Sequence, residues 1–127
     1  MKLSAPQLVF LSLSLVGSAL TLRASPQVAV PTGRIPQFEN DEVKVWKSVV
    51  APGSPLPLHR HEHPRVIIAL VGGTMKIVQQ GGVSDTYEWQ SGKSYWLPAN
   101  PPGTLHTDVN TGDKPIEVMV VELKKAH

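Results

Sequence analysis

The residues of this chain best suited to chemistry are its histidines. Three crowd into Leu58–Pro64, LHRHEHP, at His59, His61 and His63; a fourth is His106, and the fifth ends the chain at His127. On an extended strand, residues two apart face the same side, so His59 and His61 present both imidazoles together. Two neutral imidazoles from one strand and a third from a neighbour make a facial donor set for a divalent transition metal. The plainer alternative is a group of surface histidines in a proline-rich turn. Other chemistries lack their residues. The chain has no cysteine, which removes disulfides, thiolate metal sites and a thiol nucleophile. Ser84, Ser91 and Ser94 have no base pattern around them that would make a nucleophile. Gly72-Gly73 and Gly81-Gly82 open no helix, so neither is a phosphate cradle.

The elements that must hold these histidines are short strands. Val43–Val50 (VKVWKSVV) alternates apolar and polar residues and predicts a half-buried strand. Val66–Val71 (VIIALV) is continuously apolar, as in a strand covered on both faces. Thr74–Gln80 follows Gly72-Gly73, a hairpin-turn signal, and Gly81-Gly82 separates it from Asp85–Trp89. Ser94–Leu97 stops at Pro98, Leu105–Val109 follows the turn Asn100-Pro101-Pro102-Gly103, and Ile116–Leu123 (IEVMVVEL) closes the series. With 12 prolines and 10 glycines in 127 residues, the pattern predicts an all-β antiparallel sandwich or barrel of one domain. Trp46, Trp89, Trp96, Tyr87 and Tyr95 are expected in its core. Asn110 is expected to bond backbone in a turn.

The first 24 residues, MKLSAPQLVFLSLSLVGSALTLRA, have the layout of a secretory signal peptide: Lys2, a 13-residue apolar run Leu8–Leu20, and small residues suited to cleavage near Ala19 or Ala24. That run is shorter than the ~20 residues of a membrane-spanning helix, so the expectation is a periplasmic or secreted protein without a stable span. Residues 25–40, with Pro26, Pro31 and Pro36, read as a lead-in that is loosely ordered or lies along a sheet edge. The domain proper is then 41–127. The formal charge is +2, from 12 cations and 10 acids; setting aside Lys2 and Arg23 leaves ten of each. No basic stripe marks nucleic acid as a partner.

Gly53-x5-His59-x-His61-x3-Arg65-x6-Gly72 resembles the first signature motif of the cupin superfamily. Gly92-x5-Pro98-x4-Gly103-x2-His106-x3-Asn110 resembles the second, with a longer turn at Ala99–Pro102 than is usual. The resemblance implies a small double-stranded, jelly-roll-like β-barrel with a divalent metal (iron, manganese, zinc or nickel) held inside by His59, His61 and His106. It departs from the family at Arg65, where a glutamate ligand normally stands. A guanidinium has no lone pair to give and would repel a nearby dication. Three arrangements are open. The three histidines hold the metal while Arg65 binds an anionic ligand bidentately. A substitute ligand, His63 or Asp108, completes the set; each lies two residues from a histidine, whereas Glu62 has the wrong parity. Or the metal is lost and the histidines line a pocket. The implied functions are oxidation or isomerisation of a small anionic molecule at the metal, or non-catalytic binding and sensing in the same barrel. A homodimer through the edge near Val43–Val50 is a further expectation.

Overall fold

The computed structural model describes residues 22–25 and 28–125. Most of the expected signal peptide, including Leu8–Leu20, and the terminal His127 lie outside the described residues. Eight strands carry the fold: β1 (Gly33–Glu39), β2 (Val43–Val50), β3 (Arg65–Val71), β4 (Gly73–Gln79), β5 (Ser84–Trp89), β6 (Ser94–Leu97), β7 (His106–Asn110) and β8 (Ile116–Leu123). All pairings between them are antiparallel. One sheet runs β1-β2-β8-β3-β6 and the other β5-β4-β7.

Side-chain alternation sets the interior. Trp46, Val120 and Ile67 lie side by side across β2, β8 and β3, and Ser48, Val118 and Ala69 form the next row. These inward rows meet Met75 and Trp89 of the opposite sheet, with Leu56, Val50 and Ile116, in one buried cluster. Each large apolar side chain so buried contributes about 1.5–3 kcal/mol. The polar members of the interior fall at one end of the rows. Arg65 stands opposite Glu122 in register, and His106 and Asp108 lie on the inward face of β7.

Several expectations change here. The sequence alternation in β2 suggested one buried face, yet Val45 and Val49 on the far face are also buried, at 6% and 1% exposure. The continuous apolar run of β3 suggested two covered faces, but Leu70 and Val71 are 44% and 42% exposed. An apolar run cannot distinguish a doubly covered strand from one with an apolar outer face. Gly33–Glu39, inside the expected lead-in, is an edge strand paired with β2, which agrees with the sheet-edge alternative for that segment and places the start of the strand-bearing body before Asp41. Pro36 is tolerated there because an edge strand can spare one amide donor. With β1 on one side and β8 on the other, β2 has no free edge, and a homodimer cannot form by adding a strand at Val43–Val50. Trp96, expected in the core, lies 58% exposed on the outer face. Trp46 and Trp89 are buried, and Tyr87 and Tyr95 pack partly buried against the core.

Gly81-Gly82 makes the β4–β5 hairpin, and Gly82 adopts a φ of 90° there. Gly72-Gly73, in contrast, is no hairpin turn: β3 and β4 belong to different sheets, and the chain crosses between them at this point. Gly72 passes directly over the Trp89–Ser91 backbone. A Cβ on it would meet the Trp89 carbonyl and sit 2.8 Å from the Ser91 nitrogen. Gly72→Ala should therefore destabilise the fold by about 1–3 kcal/mol or more, because backbone cannot move aside as a side chain can. Chemical denaturation of the variant beside Gly81→Ala, whose Cβ meets nothing within 4 Å, checks this. Equal midpoints would refute it.

Candidate metal centre

The segment Leu56–His61, with Pro57 inside it and Pro55 and Pro64 near its ends, makes no regular strand, but it lies along β7. Leu56 is buried and its amide donates to the Asp108 carbonyl at 3.1 Å. His59 and His106 exchange both backbone hydrogen bonds, at 2.9 and 2.8 Å, and so stand directly across from each other. His61 is fixed from the other side. Its amide donates to the Asn100 side-chain oxygen at 2.7 Å, and its carbonyl accepts from the Asn100 amide at 2.8 Å. The long Ala99–Pro102 turn thus has a structural role, which is to bring Asn100 against His61.

These constraints bring three imidazoles together. One ring nitrogen from each of His59, His61 and His106 lies within 4.8 Å of the other two. His61 and His106 are buried, and His59 is largely so. The His59 Nδ1 lies 2.8 Å from the Pro57 carbonyl, which can only accept, so Nδ1 carries the proton and the neutral ring has its lone pair on Nε2. The His61 Nδ1 likewise meets a Glu122 carboxylate oxygen at 3.0 Å, leaving Nε2 as its donor atom. A ligand imidazole whose second nitrogen is held by a carbonyl or a carboxylate is the usual arrangement around protein-bound metals. Burial pushes both His61 and His106 down to about 4, against the pull of nearby carboxylates. Both are neutral at pH 7, the form that ligates a metal. Burial alone would raise the Glu122 carboxyl, but the His61 bond and neighbouring cationic groups hold it below its ordinary value.

The Nε2 atoms of His59 and His106 and Oδ1 of Asp108 are buried without any hydrogen-bond partner. Buried polar atoms are normally satisfied, and the two orphaned imidazole nitrogens, which belong to the three-histidine group, fit a bound cation; Asp108 lies beside that group without belonging to it. The donor set therefore fits a metal of the kind the sequence implied. His63 is half-buried and outside the group, and Glu62 turns toward Arg60 at 3.8 Å. Arg65 is 4% exposed and its guanidinium donates to the Pro98 carbonyl at 3.1 Å. It points into the barrel beside a cavity of about 150 Å³, whose walls include Gln79, Tyr87, Asn100, Thr104 and His106.

Three contributors escaped the sequence reading. Glu122 was visible in principle, since IEVMVVEL places it in phase with the inward Ile116, Val118 and Val120. Asn100 gave no signal beyond a turn. Arg34 fell in the supposed lead-in, yet it reaches back so that its guanidinium sits 5.1 Å from the Trp46 ring centre. Arg34 itself stays exposed, so the interior cluster is the buried cation Arg65 with the partly buried acids Asp108 and Glu122.

Comparison with known proteins agrees with this architecture. Residues 46–122 match the sequence model of the cupin domain family. Auxin-binding protein 1 of Arabidopsis thaliana is 31% identical in an alignment 88 positions long that covers 63% of this chain and 41% of that protein. The chain thus matches well under half of that relative's length. A cupin domain from Bordetella pertussis superposes with a TM-score of 0.63 at 28% identity, over 76% of this chain and 98% of the other. A cupin family protein with a double-stranded β-helix fold from Methanocaldococcus jannaschii gives 0.58 at 17% identity, over 84% and 93%. With a family match over more than half its length, two facing antiparallel sheets and the three histidines inside them, this chain belongs to the cupin family.

Proposed function

We propose that this protein is an exported cupin that holds a divalent first-row metal through the Nε2 atoms of His59, His61 and His106, and binds a small anionic molecule beside it. The observation that carries the reading is the pair of orphaned Nε2 atoms on His59 and His106, buried and aimed at one point with the third imidazole. The anionic preference rests on charge. Arg65 offsets one of the two acids Asp108 and Glu122, so a bound dication leaves the interior with a surplus of one positive charge. An anion entering the cavity beside Arg65 offsets that surplus, and a guanidinium fork suits a carboxylate. A bound metal supplies Lewis acidity and a template for oxidation or isomerisation. The chain itself supplies neutral imidazoles, a fixed cation at Arg65 and walls that limit water. Export rests on the N-terminal sequence pattern.

A second reading, a non-catalytic binding or sensing barrel, is favoured by one observation: Arg65 stands where the family's carboxylate ligand stands. An auxin-binding protein among the relatives supports binding as a role for such a barrel. Metal analysis of protein purified from the periplasm or medium without chelators, followed by calorimetric titration with oxalate or acetate, tests the proposal. One metal per chain is expected, with anion binding that disappears when the metal is stripped, because coupling between two ligands is reciprocal. A protein that takes up no divalent metal would overturn it, and anion binding unchanged by metal would remove the coupling.

A further inference from the structure

The carboxylate missing at position 65 has a candidate replacement on the opposite sheet. Asp108 lies two residues beyond His106 on the same inward face of β7. One of its oxygens, Oδ2, is 3.6 Å from the His59 Nε2, and the other, Oδ1, is 3.7 Å from the His106 Nε2. Neither contact is short enough for a good hydrogen bond. For His59 the bond is also chemically absent in the neutral ring, because the proton is on Nδ1 and a lone pair faces the carboxylate oxygen. Two acceptors this close in a partly buried site repel unless a cation lies between them. The spacing from His59 and His106 suits that cation, whereas Asp108 stands outside the set of donors within 4.8 Å of one another, so its carboxylate must swing toward His61 for all four to share one ion. Around a tetrahedral ion with bonds of about 2.1 Å, neighbouring donor atoms lie about 3.4 Å apart.

From this geometry we infer that Asp108 is the fourth protein ligand of the metal centre, supplying from β7 the carboxylate that Arg65 displaced from β3. The inference rests on the proposed metal reading. It divides the two acids of the cluster by role. Asp108 touches the ion, whereas Glu122, engaged with the His61 Nδ1, is a positioning residue. Arg65 is then the cation that keeps two partly buried carboxylates tolerable before metal arrives: it stands opposite Glu122 in register and lines the inner cavity together with Asp108.

The test uses zinc alone as the probe, on the full chain. Competition titration of the parent, Asp108→Asn and Glu122→Gln should show Asp108→Asn losing more than about 100-fold in affinity. Glu122→Gln should fall within the roughly 10–100-fold range of an outer hydrogen-bonding partner. A loss in Asp108→Asn no greater than that in Glu122→Gln would overturn the assignment while leaving the metal site intact. A parent that binds no zinc would overturn the underlying reading as well. If Asp108→Asn does not fold, infrared difference spectra of the parent and of Glu122→Gln decide the matter without it. A carboxylate stretch that shifts on zinc addition in both is expected. Its absence in Glu122→Gln would overturn the inference.

Discussion

His61→Ala is expected to abolish metal binding at micromolar metal while leaving a folded barrel. His61 is the imidazole held most firmly, by the Asn100 clamp on its backbone and by Glu122 on its Nδ1. Removing it leaves two histidines on one side of the site, and the affinity loss should exceed about 100-fold, beyond the effect of an outer partner. The fold survives because the Asn100 contacts to residue 61 use only its backbone. The stability cost should be about 1–3 kcal/mol, from the unpaired Glu122 carboxylate and the space left against Trp46. Calorimetry with zinc and a thermal melt of the metal-free variant check both parts. Near-parental affinity would mean that the three imidazoles do not act as one donor set.

Arg65→Glu should give the largest change in the linkage between metal and folding. In the metal-free protein the substitution removes the bond to the Pro98 carbonyl and sets a third carboxylate beside Glu122 and Asp108. Arg65 forms no direct ion pair among the described residues, but it offsets both carboxylates at longer range, and leaving buried charge uncompensated costs about 3–5 kcal/mol. Metal reverses the sign, because the new carboxylate is a ligand where the guanidinium repelled the ion. The metal-free variant should melt well below the parent and regain that loss, or more, when zinc is added, since a ligand that binds only the folded state stabilises it by mass action. Arg65→Met separates the two effects: it removes the repelling charge without adding a ligand, and should strengthen zinc binding less. An Arg65→Glu protein as stable as the parent without metal, or binding zinc no more tightly, would show that Arg65 does not face the ion.

The strands were legible where local pattern and tertiary environment agree. Val43–Val50, Ser94–Leu97 and Ile116–Leu123 have the bounds that their apolar pattern and flanking turn residues mark. The histidine pair was legible because a spacing of two survives almost any extended backbone. What stayed hidden was decided by distant partners. Gly72-Gly73 has the composition of a hairpin, but whether a chain reverses or crosses between sheets there depends on what β3 and β4 each pair with. Gly33–Glu39 contains a proline and lacks clear alternation, so only its pairing with β2 makes it a strand. Arg34 was lost with it. Arg65 was singled out as a departure from the family pattern, but one position says nothing about which acid lies across the sheet.

Trp46 has a consequence that is optical. Its indole lies parallel to the His61 ring, with ring centres 6.0 Å apart, and the Arg34 guanidinium covers it at 5.1 Å. Trp89 is buried farther along the core and Trp96 is on the outer surface, so the three indoles emit from different surroundings. An ion with unpaired d electrons at the histidines would quench Trp46 across the His61 ring, whereas a closed-shell ion would only perturb it. The chain thus carries a built-in reporter that distinguishes which kind of metal has arrived, without a label and without turnover.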